Sequence, residues 1–115
     1  MKENQALDAF MALSQETRLA IVRLLVKQGP EGLAAGMIAE AMAVSPSNVS
    51  FHLSHLERAG LIESRREARS IIYAASYATL AELVRFLTED CCQGKPEICA
   101  PLTTLSCLCV PETTP

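Results

Sequence analysis

The stretch Ser45 to Gly60, SPSNVSFHLSHLERAG, leaves little choice but a capped helix. Ser45 can accept a hydrogen bond from a free amide of the following turn, as helix N-caps do. Pro46 falls at the first helical position, where its missing N–H costs nothing. Val49, Leu53 and Leu56 recur at helical spacing and give one apolar stripe. Ser47, Ser50, Phe51 and Ser54 share a different face, with Asn48, His52 and His55 on its flanks. Gly60 suits the stop just past the helix. A helix with its apolar side buried and small polar side chains displayed can lie in the DNA major groove, where base edges offer donors and acceptors. Any amphipathic surface helix also has a polar face, so the reading turns on the neighbouring segments.

Glu3 to Leu13 carries Leu7, Phe10 and Met11 on one face and predicts a first helix. Ser14 is the expected N-cap of a second, running from about Gln15 to Gln28 with Ile21, Leu24 and Leu25 as its stripe; Gly29-Pro30 ends it. Arg18 and Arg23 point off that stripe, solvated or paired. Glu31 to Gly36 reads as a connection with two glycines. A short helix follows at about Met37 to Ala43, with Ile38 and Met42 facing inward, and Val44 leads to Ser45. Two short helices joined by a tight turn, the second displaying a polar face, have helix-turn-helix spacing.

Leu61 to Arg66 and Ser70 to Ala74 flank the link Glu67-Ala68-Arg69 and predict a β-hairpin. Its tip carries Arg65, Arg66 and Arg69 against Glu63 and Glu67, a local basic patch in a chain of net charge −3. Arginines on such a wing can neutralise phosphates or enter the minor groove; a solvated charged turn is the plainer alternative. Ser76 or Tyr77 starts a last helix running to about Asp90, with Leu80, Leu83, Val84 and Leu87 as its stripe. The expected fold is mainly α with a small β-hairpin, a winged helix-turn-helix. The first and last helices retain apolar surface, so a homodimer through them is expected, setting two reading helices about one DNA turn apart.

The 115 residues fit one folded unit, here residues 1–90, followed by an irregular tail, 91–115, holding Pro96, Pro101, Pro111 and Pro115. An acidic chain, with pI near 5.3, does not favour indiscriminate nucleic-acid binding; a specific binder with a local basic patch remains open. No apolar run is long enough to cross a bilayer, and MKENQALDAF lacks the apolar core of a signal peptide. The expectation is a cytoplasmic protein with no membrane partner. No phosphate-cradling glycine loop and no Cys-x-x-Cys on a strand–helix pattern occurs, so no enzyme is expected.

The element order, together with Leu13-Ser14-Gln15-Glu16-Thr17-Arg18, Asn48-Val49-Ser50-Phe51-His52-Leu53, Leu56 and Ala59-Gly60-Leu61, resembles the ArsR family of metal-sensing repressors over about residues 5 to 90. The resemblance implies a homodimeric winged helix that occupies a palindromic double-stranded operator when ligand-free and leaves when an inducer binds. Read with the displayed helix face and the hairpin tip, DNA contacts are expected from Ser45, Ser47, Asn48, Ser50, Phe51, Ser54 and His55 on the helix and from Arg65, Arg66 and Arg69 on the wing. Two departures stand out. The helix Met37-Ile38-Ala39-Glu40-Ala41-Met42-Ala43 has no Cys-x-Cys, where many arsenic sensors of the family carry one, and Ala68 replaces a common wing glycine, leaving the turn type open.

All five cysteines, Cys91, Cys92, Cys99, Cys107 and Cys109, fall in the last quarter of the chain. Cys91, Cys92 and Cys99 resemble the arrangement of an arsenic-responsive subgroup with thiols just after the last helix. Thiolates select soft ions. Three of them suit a pyramidal centre such as As(III) or Sb(III), whereas Zn(II) prefers four ligands. Gly94 and Pro96 let the intervening stretch bend back, so one subunit can supply all three sulfurs. As(III), with Sb(III) as an alternative, is therefore the expected inducer, and no permanent cofactor is expected. Cys107 and Cys109 are auxiliary: they deliver the ion, replace a ligand, complete a four-thiolate site for Zn(II), Cd(II) or Pb(II), or stand unused. A switch driven by thiol oxidation or persulfide is the alternative function, and metal buffering a further one. His52 and His55, three apart, are read as packing and DNA-contact residues rather than ligands.

Overall fold

The computed structural model describes residues 1–88. The five cysteines, the tail and the expected end of the last helix near Asp90 lie outside the described residues. One compact unit runs from Met1 to Leu83, and Val84 to Thr88 belong to a second. The order is α1 (Glu3–Leu13), α2 (Glu16–Gln28), β1 (Leu33–Ala34), α3 (Ala35–Met42), α4 (Pro46–Arg58), β2 (Ile62–Glu67), β3 (Ser70–Ala75) and α5 (Tyr77–Thr88). This is a winged helix-turn-helix.

The helices bury one face each. Ile21 and Leu25 of α2, Ile38 of α3, Val49, Leu53 and Leu56 of α4, and Leu61 are the largest fully buried side chains. Burying each stabilises the fold by roughly 1.5–3 kcal/mol relative to exposure. On α2 it is Val22, not Leu24, that joins Ile21 and Leu25 inside. α1 turns Ala6, Ala9 and Ala12 inward, small residues that let α1 approach its neighbours closely, and leaves Leu7 and Met11 exposed.

Three local expectations change. The side chain that caps α2 belongs to Gln15, whose Oε1 accepts from the Arg18 N–H at 2.9 Å. Ser14 Oγ instead donates to the Met11 carbonyl at 2.8 Å, closing α1 rather than opening α2. The connection at Glu31 to Gly36 contains strand β1, which pairs antiparallel with β3 through Leu33–Tyr73 and Ala34–Ile72. The sheet order is therefore β1-β3-β2, three strands rather than a bare hairpin. Gly32 makes this possible, because its φ is +73° and a β-carbon there would run into the Tyr73 carbonyl oxygen. α3 starts at Ala35, with Gly36 inside it.

β2 and β3 pair in register from Ile62–Ala75 to Glu67–Ser70, leaving Ala68 and Arg69 as a two-residue turn. Ala68 takes φ +56°, the left-handed region that such turns require and that glycine reaches more easily. Among the described residues no helix is long and apolar enough to cross a membrane.

Candidate nucleic-acid interface

Helix α4 is built as its sequence dictates. Ser45 Oγ accepts from the Asn48 N–H at 3.3 Å, Pro46 opens the helix, and Gly60 follows it at φ +83°. With Val49, Leu53 and Leu56 buried, Ser47, Asn48, Ser50, Phe51 and Ser54 are all exposed. Ser45 is exposed too, but its hydroxyl serves the cap and lies 3.5 Å from Ser47 Oγ. His55 is half-buried and lines a cleft of about 190 Å³ with Asp8 and Met11 of α1 and Arg58 and Ala59. That places it at the α1–α4 junction rather than on the open face.

The hairpin arginines differ in their engagement. Arg65 donates from Nη2 to the Glu31 carbonyl at 2.6 Å, from Nη1 to the Pro30 carbonyl at 3.2 Å, and from Nε to Glu67 Oε2 at 2.7 Å. Its guanidinium ties β2 to the loop after α2. Arg66 and Arg69 are exposed, and the Arg65–Glu67 ion pair is the one found among the described residues. The charge free to meet a phosphate is thus concentrated at Arg66 and Arg69. The hairpin is also fastened to α4, where Ser64 Oγ donates to Glu57 Oε2 at 2.6 Å.

A residue read from sequence as merely solvated or paired has a larger part. Arg18 Nε donates to the Ala12 carbonyl at the end of α1, 2.6 Å away, and Nη1 stands 3.4 Å from His52 Nδ1 on α4. A guanidinium only donates, so this contact calls for Nδ1 as acceptor, the neutral tautomer that keeps its proton on Nε2. Burial first, and then the Arg18 charge, hold the His52 pKa below its ordinary value. The His55 pKa is lowered likewise, by burial and then by Arg18, Arg58 and His52. The signal in the sequence was position: Arg18 sits on the turn side of α2, within reach of the chain that closes α1.

Among the described residues no three of His, Cys, Asp and Glu come together as a metal site. The candidate ligands Cys91, Cys92, Cys99, Cys107 and Cys109 lie outside the described residues.

Comparison with known proteins gives one answer at three levels. A helix-turn-helix domain model matches residues 13–65. The HTH-type transcriptional regulator YceK of Bacillus subtilis is 39% identical over 53% of this chain, which spans only 60% of that protein. The transcriptional activator HlyU of Vibrio cholerae is 30% identical over 72% of this chain and 74% of its own. An ArsR-like transcriptional regulator from Rhodococcus superposes with a TM-score of 0.70 at 30% identity, covering 88% of this chain and 92% of that one. A Mycobacterium bovis winged helix-turn-helix DNA-binding domain, described as homodimeric, matches at 31% identity and TM-score 0.61, over 76% of this chain and 81% of its own. A protein described as a possible transcriptional regulator for arsenical resistance matches at 28% identity and TM-score 0.62, over 70% and 80%. An exposed, capped helix beside a basic hairpin, on a scaffold shared with regulators of transcription, places the chain: it belongs to the ArsR-like family of winged helix-turn-helix transcriptional regulators.

Proposed function

We propose that this regulator is a repressor that grips a palindromic operator as a homodimer and lets go when As(III) or Sb(III) is bound by Cys91, Cys92 and Cys99. The DNA half of the reading rests on the face of α4, where Ser47, Ser50, Phe51 and Ser54 stand exposed over a buried Val49-Leu53-Leu56 stripe, with Arg66 and Arg69 on the hairpin beyond. Pairing of two copies is supported by Leu7 and Met11, apolar side chains left 54% and 65% exposed on α1, and by the homodimeric relative.

The inducer half is carried by one observation: Cys91 and Cys92 come three and four residues after the end of α5, with Cys99 seven residues further on, in a chain whose structural neighbours include a possible transcriptional regulator for arsenical resistance. A ligand shifts the operator equilibrium only through its differential affinity for the bound and released states, and couplings of ~1–3 kcal/mol are typical. The thiols must be ionised to bind, so inducer affinity rises with pH until they are deprotonated.

A second reading, release by thiol oxidation or persulfide, is favoured by the cysteine count and by a HlyU structure described as its reduced form. Gel-shift titration separates the two. As(III) should dissolve the DNA complex of the wild type and spare that of Cys99→Ser. A complex that survives As(III) but is lost to peroxide or persulfide would transfer the function to the second reading.

A further inference from the structure

The exposed face of α4 is not uniformly polar. Successive 100° steps align Ser47, Phe51 and Ser54 opposite the buried stripe, and Phe51 stands 62% exposed between the two serines. A ring so exposed forgoes the burial that stabilises aromatic side chains elsewhere. Its neighbours on that face are small and polar, so it does not belong to a wider apolar patch of the helix.

The ring is nonetheless held. The Phe51 and His52 rings form a T-shaped pair, with centroids 5.7 Å apart and planes at 65°. His52 is in turn fixed by Arg18, and Arg18 by the Ala12 carbonyl. A line of contacts therefore runs from the end of α1 to an aromatic edge on the open face of α4. Base edges in the major groove are donors and acceptors, with one apolar exception: the 5-methyl group of thymine.

We propose that Phe51 is a specificity-determining residue that packs on a thymine 5-methyl group in each operator half-site, its ring steadied by His52 and Arg18. The inference rests on the DNA-reading function proposed above. It assigns to one residue a preference that the serines around it, which can bond several bases, do not supply.

The test uses the full chain and the duplex it enriches from a random library. Each thymine is replaced in turn by deoxyuridine, which removes the methyl group alone. At one thymine per half-site the wild type should lose about fourfold in affinity, the worth of burying one such group. Phe51→Ala should bind the thymine and deoxyuridine duplexes alike, and Phe51→Gln serves the same comparison if the alanine variant does not fold. The proposal is overturned if every deoxyuridine duplex binds as well as its parent, or if Phe51→Ala keeps the discrimination. A chain that enriches no duplex would instead overturn the DNA-reading function itself.

Discussion

Arg18 and His52, on α2 and α4, meet at 3.4 Å while the same guanidinium holds the Ala12 carbonyl at 2.6 Å. Three helices are joined at one side chain. α4 is the helix that displays Ser47, Phe51 and Ser54, so its orientation is set partly from the end of α1. Arg18→Met keeps the packing of the stem and removes both polar contacts. It should lower stability by about 1.5–3 kcal/mol in urea unfolding, the range for a hydrogen bond made by a charged group. A change within a few tenths of a kcal/mol would show that the contact contributes little.

The same pair makes a pH prediction. The folded-state pKa of His52 lies below its ordinary 6.5, so below that pH the unfolded chain binds the proton more readily. Stability then rises with pH through the window just beneath 6.5, and is lost as pH falls toward the folded value. The melting temperature should drop between pH 7 and pH 5.5 more steeply in the wild type than in His52→Gln. Equal slopes in the two proteins would remove His52 as a contributor.

Gly32 and Gly36 form a matched pair for mutagenesis. Gly32 sits at φ +73° against the Tyr73 carbonyl, whereas nothing lies within 4 Å of a β-carbon at Gly36 in α3. Gly32→Ala should cost about 2 kcal/mol or more, from the left-handed backbone and the displaced β1–β3 pairing. Gly36→Ala should be neutral or stabilise by up to roughly 1 kcal/mol through helix propensity. Denaturant midpoints of the two variants decide it, and a tolerated Gly32→Ala would mean that β1 can shift.

The three hairpin arginines should separate in salt titrations of DNA binding. Loss of one phosphate contact lowers the slope of log affinity against log salt by about 0.9. Arg66→Ala and Arg69→Ala should each show that decrease. Arg65→Ala should act first on the fold, by roughly 1 kcal/mol, because its donors are spent on Pro30, Glu31 and Glu67 at an exposed site. A full slope change for Arg65→Ala would show that it leaves these partners for DNA.

Local chemistry was written plainly in the chain. The Ser45 cap, the proline after it, the stripe Val49-Leu53-Leu56 and Gly60 specify α4 within one short segment, and the β-branched run to Tyr73 specifies the hairpin. The relationships that needed the third dimension join residues far apart in sequence. β1 is two residues long, too short for any periodicity, and exists because Gly32 lets the chain lie against Tyr73. The inward face of α1 is the alanine face, since close packing against α2 and α4 admits small side chains there and leaves Leu7 and Met11 outside. Composition made Arg65, Arg66 and Arg69 equivalent; the fold gave one of them carbonyl partners 34 and 35 residues away. Sequence by itself determined the five helices, the β2–β3 hairpin and the apolar stripe of α4, because those follow from near neighbours. Tertiary structure alone decided which arginine and histidine side chains are committed across the fold and which stay free, because a guanidinium or an imidazole takes its distant partners from whatever the fold brings within about 3 Å.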